Sequence, residues 1–78
     1  KYTMDMPVEQ ILKMMTFEEA QEVVVDTGTC NGWKICDVAE RRPASLKFYV
    51  YGGYKGKNNI LRAAARITLD ALTAQKAG

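Results

Sequence analysis

Residues 23–35, Val23-Val24-Val25-Asp26-Thr27-Gly28-Thr29-Cys30-Asn31-Gly32-Trp33-Lys34-Ile35, decide the fold class. Three successive β-branched valines lose side-chain freedom in a helix and favour extended chain. Asn31-Gly32 is the strongest short hairpin signal, because both residues tolerate the positive φ that a tight hairpin turn requires. The stretch therefore predicts an extended segment around Val24–Asp26, a turn over Thr27–Gly32 and a short returning strand at Trp33–Ile35. A lone two-stranded hairpin is marginal in water, so it must lie on helices.

Helical signals flank it on both sides. Upstream, Asp5-Met6-Pro7 is a helix start with Asp5 as the cap, and Val8, Ile11, Leu12 and Met15 follow at helical spacing. Thr16-Phe17-Glu18-Glu19 is a capping box, so one helix stops near Met15 and another begins at Phe17. Downstream, Cys36–Arg42 reads as a short helix ended by Pro43, and Ala44–Val50 as a second one stopped by Gly52-Gly53. The last helix, over 59–74, is the longest, with Asn59, or else Asn58, as its cap and a stripe of Ile60, Ala64, Ile67 and Ala71 broadened by Leu61, Thr68 and Leu72. The expected fold is α+β: a small, mostly helical domain of three to four helices with one short β-hairpin. The expected core is Ile11, Leu12, Val24, Ile35, Val38, Leu46, Ile60, Ala64, Ile67 and Leu72.

Length and composition bound the rest. Seventy-eight residues, 47% hydrophobic and 26% charged, make one small domain over 1–78, too short for a second core. The chain opens without an initiator Met and is expected to be a domain cut from a longer protein. No apolar run is long enough to span a membrane, and the start does not read as a secretory signal, so a cytoplasmic protein with no membrane partner is expected. There is no His, and two Cys cannot complete a tetrahedral zinc site, so no metal and no other cofactor is expected. Cys30 and Cys36 read as free thiols, Cys36 as a small core hydrophobe and Cys30 as the more exposed of the two.

Without His there is no Ser-His or Cys-His pair, and the carboxylates sit mainly at helix starts, where the helix dipole favours them. The reading is therefore non-catalytic. Charge points elsewhere. Residues 1–40 carry three lysines against eight carboxylates, net −5, while residues 41–78 carry eight cations against Asp70 alone, net +7. Such asymmetry suits a polyanion partner. Within the basic half, the Gly-Lys loop with Tyr54, Lys55, Lys57 and Asn58 runs into a helix start, and Arg62 and Arg66 follow one turn apart. Arg41, Arg42 and Lys47 flank this region, and Trp33 beside the turn offers a stacking platform. Tyr49, Tyr51 and Tyr54 lie among these cations, and cations interleaved with aromatics suit a nucleic-acid strand: charge for phosphates, rings for bases. The alternative is a protein-interaction adaptor that presents Met4, Met6, Met14, Met15 and Phe17 as an adaptable apolar surface.

The order of elements resembles the small C-terminal domain of exodeoxyribonuclease X-like proteins. The likeness rests on the turn Gly28-Thr29-Cys30-Asn31-Gly32-Trp33-Lys34, the segment Ile35-Cys36-Asp37-Val38-Ala39-Glu40, and Arg42-Pro43-Ala44-Ser45-Leu46-Lys47-Phe48-Tyr49, within residues 16–72. The chain departs from the family pattern where the turn's first lysines are Thr29-Cys30-Asn31, where Ser45 replaces a Tyr, and where Phe48 or Tyr49 replaces a Trp. The resemblance implies an accessory domain that helps hold DNA or RNA in a phage or mobile-element nuclease context. A thiol titration of unfolded, unreduced protein is expected to count two; a count of zero would establish a disulfide instead.

Overall fold

The longest helix is the axis on which the others pack. The computed structural model describes residues 2–77. Among the described residues five helices follow in order: α1 Val8–Met14, α2 Phe17–Glu22, α3 Ile35–Arg41, α4 Ala44–Val50 and α5 Asn59–Ala77. α5 touches all four of the others. Among the described residues there is no β-strand, so the domain is all-helical and the expected α+β class with a hairpin is corrected. None of these helices is long and apolar enough to cross a membrane.

The missing hairpin has a local cause. The 23–35 stretch does double back, with Val25 N–H donating to Trp33 O, Gly32 N–H to Val25 O and Ile35 N–H to Val23 O, each at 2.8 Å. Yet only one antiparallel bridge forms, between Val24 and Lys34. The Asn31-Gly32 turn closes through Trp33 N–H to Cys30 O at 2.9 Å. Gly32 has φ 91°, but no described non-glycine residue has positive φ, so Asn31 does not. Positive φ at the second central residue alone is the type II pattern, whose twist splays strands apart; type I′ would need it at both. On the return side Lys34 is already the N-cap of α3, which leaves no length for a strand.

Other boundaries follow the local chemistry. The capping box is complete: Glu19 N–H donates to Thr16 Oγ1 at 3.1 Å and Thr16 N–H to Glu19 Oε1 at 2.9 Å. Asp5 does not cap α1. Its carboxylate accepts from Thr3 Oγ1 at 2.6 Å, which holds the carboxyl below its ordinary pKa, and Pro7 takes the N-cap position. Asn58 caps α5, its Oδ1 accepting from Ile60 N–H at 3.1 Å and Leu61 N–H at 3.2 Å. Asn59 pins the N-terminal segment by donating its Nδ2 to Met6 O at 2.8 Å.

The core differs in detail from the apolar stripes. Ile11, Ile35, Val38, Leu46 and Ala64 are fully buried as expected, but Leu12, Ile60, Ile67 and Leu72 are only half-buried. Val25 rather than Val24 faces inward; Val24 is 50% exposed. On α5 the buried set is Leu61, Ala63, Ala64, Ala65, Thr68 and Leu69, an arc wider than one stripe, because helices cover α5 from several sides. Buried Thr68 is satisfied by Gln21 Nε2, which donates to its Oγ1 at 2.8 Å. Both cysteines are free, but their expected roles are exchanged: Cys30 is buried and Cys36 is half-buried. The turn folds Cys30 back toward α4, where its Sγ lies 3.9 Å from Ser45 Oγ.

Leu46, fully buried beneath α4, tests this packing. Leu46→Ala is expected to cost about 2–5 kcal/mol. An unchanged thermal melt would place Leu46 outside the core.

Candidate nucleic-acid interface

Residues 41–69 contain no carboxylate and seven cations: Arg41, Arg42, Lys47, Lys55, Lys57, Arg62 and Arg66. The fold uses these cations in different ways. Arg62 is turned onto its own loop, where Nη2 donates to Gly56 O at 2.9 Å and Tyr54 O at 3.2 Å. Its guanidinium also lies 5.1 Å from the Tyr54 ring centroid. Arg62 is thus a clamp for the 54–56 loop, contrary to the expectation that it faces a phosphate. Arg66 is exposed and pairs with Asp70 one turn on, at 3.3 Å, a contact of the kind that contributes little in water. Arg41 lies 5.8 Å from the centroid of half-buried Trp33 and covers one face of the expected stacking platform. Arg42, Lys47, Lys55 and Lys57 are exposed and have no ion-pair partner among the described residues.

Tyr54 and Asn58, both expected to touch nucleic acid, are structural. Tyr54 is buried, and its hydroxyl donates to Asp26 at 3.1 Å; Asn58 Nδ2 donates to the same carboxylate at 3.1 Å. Asp26 thereby ties the turn after α2 to the loop before α5. The loop glycines fit this arrangement: a Cβ at Gly56 would run into the Tyr54 hydroxyl, and one at Gly53 into the Phe48 ring. Burial, and then the hydrogen bond to Asp26, push the Tyr54 phenol above its ordinary value. Tyr49, packed edge-on to Tyr54 with ring centroids 5.9 Å apart, is pushed up to about 12, chiefly by burial.

The outer face of α4 collects what remains. Leu46, Tyr49 and Val50 point into the core, which leaves Ala44, Lys47, Phe48 and Tyr51 in a solvent-facing row at helical spacing. Phe48 is 50% exposed and Tyr51 75% exposed. Arg42 precedes this row, and Lys55 and Lys57 follow it on the loop. Two open clefts of ~300 Å³ flank Ala44, one toward the Thr27–Cys30 turn and one toward Leu69 and Leu72 of α5. Of the two exposed rings, Tyr51 was among the aromatics expected beside the cations, whereas Phe48 was not expected as a site residue. Their signal was the i, i+3, i+4, i+7 spacing of positions 44, 47, 48 and 51, opposite the buried set. Among the described residues no three His, Cys, Asp or Glu side chains are grouped to hold a metal ion. No family model, curated protein or solved structure matches the chain.

Tyr49 generates a pH prediction. Its folded pKa lies near 12 against an ordinary value of 10.0, so the folded state holds this proton more tightly than the unfolded chain does. Its contribution to stability is complete below pH 10 and is lost as pH rises toward 12. Urea melts across this window should show a smaller alkaline decline for Tyr49→Phe than for the parent. Equal declines would show that Tyr49 titrates alike in both states.

Proposed function

We propose that the domain is a non-catalytic module that binds single-stranded nucleic acid along the outer face of α4. Arg41 and Arg42 lie before the helix, Lys47, Phe48 and Tyr51 on it, and Lys55 and Lys57 after it. The observation that carries this reading is the exposed pair Phe48 and Tyr51 beside Lys47, in a stretch that has no carboxylate. Aromatic rings held out to solvent supply stacking surfaces for bases of any sequence, and unpaired cations supply contacts to the phosphates between them. The resemblance to exodeoxyribonuclease X-like C-terminal domains implies the same role, in a phage or mobile-element setting. Relative to the sequence reading, the centre of the surface moves from the start of α5 to α4, because Asn58 and Arg62 are committed to the loop. The rival apolar docking surface is weakened, since Met15 is buried and Met6 half-buried, which leaves Met4, Met14 and Phe17 exposed.

A labelled single-stranded oligonucleotide titrated at low and moderate salt tests the reading. Micromolar binding is expected, with a log–log salt slope of about −2 to −4 for three to five phosphates neutralised. Tyr51→Ala should weaken binding by about 1–3 kcal/mol, as loss of one stacking ring does. The double reversal Lys55→Glu with Lys57→Glu should abolish it, whereas Lys13→Glu on α1 should not. No binding at low salt, or binding insensitive to the double reversal, would overturn the proposal and favour a protein partner.

A further inference from the structure

The two clefts beside Ala44 differ in chemistry. The one toward α5 has Leu69, Leu72 and Pro43 in its walls and Lys47 as its sole charge, with no ring to stack against. The other, between the Thr27–Cys30 turn and the first turns of α4, has a different lining. Arg42 supplies a guanidinium, Thr27, Thr29 and Ser45 supply hydroxyls, and Phe48 supplies an aromatic wall. No carboxylate lines it. Arg42 has no ion-pair partner among the described residues, and a guanidinium presents a planar fork suited to phosphate oxygens. Gly28 lies at the rim with φ 75°, and open space stands where its Cβ would be, so a ligand can approach the main chain there.

Size narrows the ligand. A cleft of ~300 Å³ is at the lower bound of small-molecule sites, which run from about 300 to 1,000 Å³, so it suits one nucleotide unit and not two. Phe48 is held in place by its neighbours: its ring packs over Gly53 and edge-on to Tyr49, with centroids 5.6 Å apart. Half of the residue nevertheless stays open to solvent.

We propose that this cleft is a one-nucleotide subsite, with Arg42 and the neighbouring hydroxyls on the phosphate and Phe48 against the base. The proposal deepens the strand-binding reading by giving the strand an anchoring unit, yet it is testable apart from it. A 5′-mononucleotide, the matching nucleoside and inorganic phosphate are each titrated into isotope-labelled protein and followed by amide shifts. The mononucleotide is expected to move Gly28, Thr29, Ser45 and Phe48 together, and each half alone to move them less. Arg42→Gln is expected to weaken the mononucleotide about tenfold or more, the loss of a charge-assisted contact. Phe48→Leu should weaken the mononucleotide and leave phosphate unaffected, and an unchanged amide spectrum of each free variant checks its fold.

Shifts at the cleft that are equal for phosphate and mononucleotide would overturn the base half of the subsite, and with it the proposal. No cleft shifts with millimolar mononucleotide would overturn it even if the oligonucleotide binds. Mononucleotide binding in the cleft without oligonucleotide binding would support the subsite and remove the strand-binding reading.

Discussion

The middle of α5 is the constraint on which the rest depends. Ala63, Ala64 and Ala65 are consecutive and all fully buried, which requires neighbours on more than one side of the helix. Methyl side chains let those neighbours approach closely, and all four remaining helices touch α5. None of those four exceeds seven residues, far short of the length at which an isolated helix persists in water. Each is held by what it buries in the core against α5 and its neighbours, and α2 also by its capping box. The outward face of every short helix is therefore whatever the packing on α5 leaves over, and on α4 that remainder is Ala44, Lys47, Phe48 and Tyr51.

A second constraint joins the acidic and basic halves. Asp26 accepts from Tyr54 and Asn58, while Arg62 donates to the carbonyls of Tyr54 and Gly56. Together these fix the path from the end of α4 to the start of α5, and so hold the backbone from which Lys55 and Lys57 project. The charge asymmetry is thus spent in two ways. Arg62 is consumed by structure, Arg66 and Arg41 have neighbours in Asp70 and Trp33, and Arg42 and the lysines around α4 are left facing solvent. A field of one sign over a small surface raises the local concentration of polyanions whether or not any single contact is strong.

Much of the secondary structure was legible in the residues themselves. The Thr16 capping box, Pro43 between α3 and α4, the Gly52-Gly53 stop and an Asn cap at the start of α5 all act within a few residues of chain, although the capping side chain is Asn58 and not the first-expected Asn59. Such signals need no tertiary context. The acid-free stretch 41–69 was legible for the same reason: it is a property of composition and order.

Tertiary packing decided the rest. Asn-Gly permits a type I′ turn without compelling it, and the immediate start of α3 at Ile35 left only a single bridge where a hairpin was expected. Period alone marked one stripe on α5, but only the surrounding helices show that the buried arc takes in Ala63, Ala65 and Leu69. Cys30 and Val25 are inward and Val24 is outward because the backbone path of the 23–35 loop sets which side chains turn toward the core, Cys30 against Ser45 of α4 among them. Whether an arginine faces a phosphate or its own main chain depends on contacts between residues distant in sequence or across a loop. The sequence determined how many cations the basic half carries and that no acid interrupts them; the packing of α4 and its loop on α5 determined which of them remain free.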